Sequence, residues 1–358
     1  MTNVSEPEAL GLTDFPQGVA SGLLRAGFDG APDMSDKRSK TKGAEEVSEL
    51  TRVWDLVEAG ELTAARAVAG AAIAADGSAE AHHAMGYVLS LEGELDEALA
   101  HYDEAIAADE DFFDALLNAA NLRLRLGDVD GAIQDASYAL DIAEGADEIA
   151  YALLALIDTN EAIDRTEEVR ALVGDLPEGP FESPALALEV GAMKLDYGDH
   201  EEARAHLVPA AAALVGDPGA QYLLGRFLEA DGDRKGATAA YLTARQLMLR
   251  TPRPVWAESK ERFTERVYEA LESLPDGLME HVEGALVLVE ELPGVEIVSE
   301  GFDPYAPVLV DRIDLGKGES LVRVVVYQRN VEHGLVSLAA ADPALRAILA
   351  EELDYYFG

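Results

Sequence analysis

The sequence contains no cysteine, few aromatic residues (6%) and no long apolar run. Without thiols the chain can form no disulfide, no thiolate metal site and no cysteine nucleophile. No run of 18 apolar residues exists, so no membrane-spanning helix is predicted. The first residues lack the basic-then-apolar pattern of a secretory signal. We therefore expect a cytoplasmic protein.

Positive charge is also scarce, because 27 Lys and Arg stand against 69 Asp and Glu, for a net charge of -42. Nucleic-acid binding relies on Lys and Arg at phosphates, so nucleic acid is not expected as a partner. Two interpretations of the acidity stay open. It fits adaptation to high internal salt, where screening weakens self-repulsion, and it also fits a surface that attracts a basic partner.

What the chain does have is a recurring segment of 17 residues. It is clearest as GELDEALAHYDEAIAAD at 93–109, and counterparts begin at Gly60, Gly127, Gly198 and Gly232. Successive leading glycines are 33, 34, 71 and 34 residues apart, and the 71 leaves room for one further copy. A period near 34 predicts a stack of helical hairpins, because one hairpin alone cannot bury its apolar face.

Small residues recur at fixed places around the leading glycines. A glycine or alanine lies seven residues before the leading glycine in four copies, and an alanine follows five residues after it in all of them. Small side chains let antiparallel helices approach closely. This pattern resembles the tetratricopeptide repeat family over residues 45–254. We count five good copies and one degenerate copy at about 148–182, which lacks the glycine.

The repeat register of that family implies which side chains line the inner groove. The implied groove residues are His83, Tyr87, Asn118, Asn121, Arg125, Tyr222 and Arg226. Asparagine amides can bond a peptide backbone, arginine can meet a carboxylate, and aromatic rings supply contact area. A protein or peptide partner is therefore expected in the groove, and the alternative is that these are ordinary surface residues.

The repeats are flanked by two different regions. Residues 1–44 carry scattered Gly, Pro, Ser and Asp without a period and are predicted to be disordered. After Pro252 and Pro254 the repeat pattern stops. Residues 255–358 are therefore predicted to form a separate α+β domain. The expected fold class is mainly α, an α-solenoid of helical hairpins followed by this small domain.

Within the α+β domain, a helix is predicted at 258–274 and a last helix at 343–358. Two β-branched runs, at 284–292 and 321–329, predict strands, and a loop-rich connection is expected between them. An array of repeats exposes an apolar face at its end. The helix at 258–274 is expected to cover that face.

Three stretches of this domain resemble the minimal zincin-like metallopeptidase family. They are RFTERVYEALESLPDGLMEHVEGALVLVEELP at 262–293, EGFDPY at 300–305 and VRVVVYQRNVEH at 322–333. The family carries an H-E-x-x-H zinc motif on its final helix, which places two imidazoles on one helical face. The matching segment here is EELDYYFG at 351–358.

That match places Glu351 and Tyr355 where the two zinc histidines belong, and Glu352 where the general-base glutamate belongs. Tyrosine must lose a proton with a pKa near 10 before it binds metal well. No metal, no cofactor and no catalytic residue are therefore expected, and the helix is expected to show a solvated acidic face with Leu353, Tyr356 and Phe357 packed inward.

Together these patterns predict a non-enzymatic interaction scaffold or adaptor with a degenerate metallopeptidase-like domain. Two alternatives stay open. One is a zinc metallopeptidase with atypical ligands. The other is a pseudoenzyme that regulates an active relative.

Overall fold

The computed structural model describes residues 49–316, 319–335 and 337–358. The segment 1–44, predicted to be disordered, lies outside them. The described chain divides into two compact units, and along the sequence the division falls between His206 and Leu207. The predicted boundary between repeats and C-terminal domain, at 254/255, stays a prediction.

The first unit is built from helices joined by short turns. They are α1 (Glu49–Glu58), α2 (Leu62–Ala75), α3 (Ala79–Glu92), α4 (Leu95–Ala108), α5 (Phe113–Leu126), α6 (Val129–Ile142), α7 (Ala146–Glu161), α8 (Thr166–Asp175), α9 (Pro184–Asp196) and the beginning of α10 (His200–Ala213). Consecutive helices pair as α1/α2, α3/α4, α5/α6 and α7/α8. These are tetratricopeptide-like helical hairpins, as the 34-residue period predicted.

The leading glycine of each copy makes the turn inside a hairpin. Gly93 and Gly127 have φ angles of 84° and 83°, a region that favours glycine because it has no Cβ. The amide of Gly93 donates to the Ser90 carbonyl (3.2 Å) and that of Glu94 to the Leu89 carbonyl (3.0 Å). Two carbonyls at the end of α3 are thereby satisfied.

The degenerate copy keeps this turn without a glycine. Asp164 adopts a φ of 56°, and aspartate tolerates this region better than most residues. Its amide donates to the Glu161 carbonyl (3.1 Å), and the Arg165 amide donates to the Asn160 carbonyl (3.0 Å), the pattern seen after α3. Asp164 therefore stands in for the missing glycine, and α7/α8 is the copy that the 71-residue gap predicted.

Close helix approach explains the small residues. A Cβ on Gly86 of α3 would lie 2.7 Å from Cε1 of Tyr102 on α4, nearer than side chains approach in real structures. Tyr102 is itself fully buried. In the second unit, Gly225 meets the ring of Tyr241 in the same manner. The small residue and the facing tyrosine are thus complementary.

The second unit continues with helices and a small sheet. Its helices after α10 are α11 (Pro218–Ala230), α12 (Arg234–Arg250), α13 (Lys260–Glu272), α14 (Asp276–Val282), α15 (Val295–Ser299), α16 (Gln328–His333) and α17 (Ala341–Phe357). Its strands are β1 (Leu286–Glu290), β2 (Val308–Gly316) and β3 (Glu319–Tyr327). A 3-10 turn, Leu338–Ala340, precedes α17.

The sheet has the order β1-β3-β2, with β1 parallel and β2 antiparallel to β3. Strands β1 and β3 confirm the two predicted runs. Strand β2 lies in the stretch predicted as a loop-rich connection, so that prediction was wrong. Its polar residues fit a strand at the edge of a sheet, where one side faces solvent.

The core of the α+β region lies between the sheet and two helices. Phe263 and Val267 of α13, Leu345 and Leu349 of α17, and Val324 of β3 are all buried there. The helix predicted at 258–274 therefore uses its apolar face inside this core. It does not serve as the expected cover of the last hairpin.

The chain covers its last hairpin, α11/α12, with a different segment. Leu292, Val298 and Tyr305 join the cluster formed by Tyr241 and Met248 of α12. We name residues 292–305 the covering segment. It contains α15 and the EGFDPY stretch, so part of the family-like sequence has a packing role in this chain.

Candidate functional site

Two of the predicted groove residues are buried and bonded to each other. His83 on α3 is 2% exposed and Asn118 on α5 is 8% exposed. The Asn118 amide Nδ2 lies 2.8 Å from Nε2 of His83. Burial lowers the pKa of His83 to about 4, so its ring is neutral near pH 7 and Nε2 can accept this bond. The pair joins α3 to α5, and its burial leaves little of either side chain accessible to a partner.

Aromatic rings enclose this pair. The His83 ring lies 5.9 Å from the Trp54 ring and 5.1 Å from the Phe112 ring, between centroids. Trp54 also meets Tyr87 edge-on at 5.2 Å. Aromatic pairs in this geometry stabilise beyond the area they bury. The buried His83 and the Phe112 ring therefore support the half-buried rings of Trp54 and Tyr87 from below.

The other predicted groove residues of this unit lie at its surface. Asn121 and Arg125 of α5 are exposed, and four residues apart they share one helical face. Tyr87 is half-buried on α3. We name Trp54, Tyr87, Asn121 and Arg125 the α1–α5 surface.

Trp54 was missed by the sequence reasoning, although a signal existed. Trp54, Tyr87 and Asn121 are spaced 33 and 34 residues apart, so they hold one register position in three successive hairpins. The prediction began the groove with the second copy and left the first without a residue.

Tyr222 and Arg226 do not line an open groove as predicted, because the covering segment packs against their helix, α11. Tyr222 is 4% exposed, and its hydroxyl donates to Oδ2 of Asp303 at 2.7 Å. Its ring packs on that of Tyr305 at 4.5 Å, and the Tyr305 amide donates to Oδ1 of Asp303 at 2.7 Å. Arg226 is half-buried on the same helix. In this conformation Tyr222 is therefore engaged by the protein's own chain.

Burial is the largest influence on the pKa of the Asp303 carboxyl group. It raises the pKa of that carboxyl group, while the Tyr305 amide, the Tyr222 hydroxyl and the positive charge of Arg226 act in the opposite direction. Burial also raises the pKa of Tyr222, which keeps its hydroxyl protonated as the donor. The contact is thus a partly buried polar junction between the last hairpin and the covering segment.

The YQRN stretch after β3 makes further structural bonds. Nη1 of Arg329 donates to the carbonyls of Met248 (2.6 Å) and Thr251 (2.9 Å) at the end of α12. Nδ2 of Asn330 donates to the carbonyls of Pro304 (2.9 Å) and Ala306 (2.7 Å). These side chains hold the covering segment and the end of α12 in place.

A buried carboxylate completes this junction. Glu332 accepts from Nη2 of Arg253 at 2.6 Å and from Nε2 of Gln328 at 2.7 Å. Gln328 also donates to the Glu258 carbonyl at 3.0 Å. A buried charge with a cation and an amide on it is compensated, so this group has a structural explanation.

The C-terminal helix presents the positions matched to the zinc motif. Glu351 is exposed, and Tyr355 is 67% exposed. Glu352 is half-buried, and burial together with the charge of Glu351 raises its pKa to about 7. Within residues 49–316, 319–335 and 337–358, no three His, Asp or Glu side chains are arranged to hold a metal ion.

The rest of this helix follows the expectation only in part. Leu353 is fully buried, and Phe357 is partly buried with its ring stacked on His281 at 4.4 Å. Tyr356 is 39% exposed, so its predicted inward packing was wrong. It turns its ring edge to Phe357 at 4.9 Å.

No protein-family model and no curated protein match this chain. Solved structures do resemble it. PilF of Pseudomonas aeruginosa gives a TM-score of 0.47 at 18% identity, over 56% of this chain and 90% of that one. YrrB, a tetratricopeptide protein with an unusual peptide-binding site, gives 0.37 at 19%, over 50% and 91%. The Cut9-Hcn1 heterotetramer of APC/C gives 0.45 at 13%, over 64% and 44%. The helices and turns of this chain, not these matches, establish its hairpin fold.

Among the helices that the structure describes, none combines the length and the apolar character needed to cross a bilayer.

Proposed function

We propose that this chain is a non-enzymatic interaction scaffold of the cytoplasm that binds a protein or peptide partner on its helical repeats. The observation that carries the proposal is the α1–α5 surface. Trp54, Tyr87 and Asn121 repeat one register position in three successive hairpins, which gives an extended ligand equally spaced contacts.

The chemistry of this surface suits a peptide backbone with an apolar anchor. The rings of Trp54 and Tyr87 supply rigid contact area at a small cost in side-chain entropy. The exposed amide of Asn121 can both donate to and accept from a peptide group. The His83–Asn118 bond beneath holds α3 and α5 at a fixed separation, so the surface is organised before the partner arrives.

The acidity of the chain supports a basic partner. With a net charge of -42, the field of the protein accelerates encounter with a cationic molecule and slows encounter with an anionic one. The competing explanation is adaptation to high salt. The two differ in the salt dependence of the association rate, which falls with ionic strength for a basic partner.

The test selects a ligand first and then challenges it. Peptides that bind the full chain are selected from a random library, and their dissociation constants are measured for wild type, Asn121→Ala and Arg125→Ala. Arg170→Ala, which removes an exposed arginine on α8, is the matched control. We expect at least about a tenfold loss for the two surface variants and none for the control.

Equal affinity for all four proteins would refute the α1–α5 surface as the binding site. The proposal of a basic partner would be refuted if the selected peptides showed no excess of Lys and Arg and if their association rates did not change with salt concentration. Adaptation to high salt would then remain as the explanation of the net charge.

We further propose that the C-terminal domain is a degenerate zincin-like domain without catalysis. The placement of α13 and α17 on one sheet supports descent from such a fold, and the absence of histidine at Glu351 and Tyr355 supports the loss of zinc. Stoichiometric zinc on the purified chain, with peptide hydrolysis abolished by a chelator, would replace this proposal with the atypical metallopeptidase.

A regulatory pseudoenzyme is the second candidate. It is favoured by Glu352, which keeps the general-base residue type on a helix that lacks both zinc histidines. Such a protein would compete with an active relative for the same substrate. The check is whether the full chain inhibits a zincin-like peptidase competitively.

A further inference from the structure

Two histidines of the second hairpin face each other nitrogen to nitrogen. His82 lies on α3 and His101 on α4, and both are half-buried. Their Nδ1 atoms are 3.1 Å apart, with ring centroids 5.3 Å apart and ring planes inclined by 36°. Two neutral imidazoles can hold one shared proton at this distance, with one ring as donor and the other as acceptor.

The same separation suits a metal ion in place of that proton. With metal–nitrogen bonds of about 2.0–2.1 Å, two nitrogens 3.1 Å apart subtend an angle of about 98° at the metal. This value lies between the right angle of square-planar Cu²⁺ and the tetrahedral angle of Zn²⁺. We propose that His82 and His101 bind one borderline divalent transition-metal ion, of the class of Zn²⁺ or Cu²⁺.

The proton balance of this step is simple. Both nitrogens that face each other must offer a lone pair, so the ring that donates from Nδ1 moves its proton to Nε2. No net proton is released while both rings are neutral.

Charges on the two neighbouring helices act on the site in both directions. Glu97 and Glu104 lie four residues before and three after His101, on the same face of α4, and favour a cation there. Arg66 of α2 opposes it, but it pairs with Glu97 (3.2 Å) and Glu92 (2.9 Å). Exposed pairs of this kind are weak, so Arg66 can move away at little cost.

The site consists of two protein nitrogens. In the described part of the chain no third His, Asp or Glu stands with the pair in this conformation, so solvent completes the coordination. The next hairpin has Leu116 and Asp135 one 34-residue period later, and the pair is therefore not a feature of the repeat itself. A purely packing role would be met by apolar residues at these positions.

The test titrates Zn²⁺ into the full chain by calorimetry near pH 7.5. A large excess of Mg²⁺ occupies carboxylates, which prefer hard cations, and leaves imidazoles free. We expect one Zn²⁺ per chain, with affinity lowered at least about tenfold in His82→Asn and in His101→Asn. His200→Asn, which removes an exposed histidine at the start of α10, is the matched control and should bind as wild type does.

A second measurement uses only the wild-type protein and so does not depend on the folding of variants. One equivalent of Cu²⁺ is added in the same Mg²⁺ buffer, and its electron paramagnetic resonance spectrum should show hyperfine coupling to two imidazole nitrogens. An all-oxygen spectrum, or Zn²⁺ binding that is absent or equal in all four proteins, would overturn the proposal.

Discussion

Residues predicted to line one groove have different environments in the first hairpins and in the last one. On the α1–α5 surface, Tyr87 is half-buried and Asn121 is exposed, so both can contact a partner. In the last hairpin, Tyr222 is closed off by Asp303 and Tyr305 of the same chain. The comparison teaches that repeat register identifies a face of the hairpin, whereas the rest of the chain decides whether that face stays open.

The closed hairpin also illustrates what this kind of face can bind. The covering segment packs the aromatic ring of Tyr305 on the ring of Tyr222, and its Asp303 carboxylate accepts a hydrogen bond from the Tyr222 hydroxyl. Aromatic contact and a directed hydrogen bond are therefore among the contacts that hold the segment there. The open surface offers the same two kinds of contact through Trp54, Tyr87 and Asn121.

The largest expected effect is a difference in the stability lost when Tyr222 or Tyr87 is replaced. Tyr222→Ala removes a buried ring and leaves Oδ2 of Asp303 without its donor, so the free energy of unfolding should fall by about 3–5 kcal/mol. Tyr87→Ala truncates a half-buried ring and should cost about 1 kcal/mol. Urea unfolding measures both, and hydrogen exchange of α11 and α12 locates the first loss. Equal costs would contradict the distinction between open and closed faces.

The next prediction concerns pH in the first unit. His83 has an unfolded pKa of 6.5, which burial lowers to about 4 in the folded protein. The neutral ring therefore stabilises the fold above pH 6.5, and this contribution is lost as pH falls toward 4. The loss amounts to about 3 kcal/mol, since one unit of pKa is worth 1.36 kcal/mol.

The check compares wild type with a double variant, His83→Phe with Asn118→Leu, in which both partners become apolar. Between pH 7 and pH 4 the unfolding free energy of wild type should fall by that amount relative to the double variant. Parallel curves would mean that His83 does not titrate in the buried state described here.

Asp303 should behave with the opposite sign. Its folded pKa is raised by burial, so its contribution to stability is complete below the unfolded value of 3.8 and declines as pH rises through the folded value. The stability of wild type relative to Asp303→Asn should therefore fall from acid toward neutral pH. A relative stability that rises over this interval would show that the carboxylate is the favoured form.

The smallest effect compares the regular and the degenerate turns. Gly127→Ala places a Cβ at a φ of 83° and should cost about 1 kcal/mol. Asp164→Gly relieves an unfavourable φ but frees the unfolded chain, so the two contributions nearly cancel and a change within about 0.5 kcal/mol is expected. Thermal or urea unfolding of both variants measures the difference. A large loss for Asp164→Gly would mean that the aspartate side chain itself holds the turn.

The helical repeats could be predicted from the sequence because their signal is local. The leading glycines, the small residues before them and the period near 34 each report on one hairpin and its neighbour. The turn at Asp164 was not predicted because glycine marks the turn in the other copies, although aspartate also adopts a positive φ. Strand β2 was missed because an edge strand carries charged residues, among them Asp311, which pairs with Arg323 of β3.

The covering segment could not be predicted for a different reason. Tyr222 and Asp303 are 81 residues apart, and no periodic pattern connects them. The buried hydrogen bond between His83 and Asn118 joins residues that are 35 apart in the sequence, and it likewise depends on how α3 packs against α5. The repeat register predicts which face of each helix a residue occupies. It does not predict which side chains pair across helices, because that depends on how the helices pack.

The turn bonds bear on how this protein can change in evolution. The same two backbone hydrogen bonds close the turns at Gly93, at Gly127 and at Asp164, whether or not glycine is present. Because these junctions are chemically alike, recombination between two of them removes or duplicates a whole hairpin without creating a new kind of joint. The array of hairpins can therefore lengthen or shorten by one repeat at a time, while the covering segment stays on α11/α12.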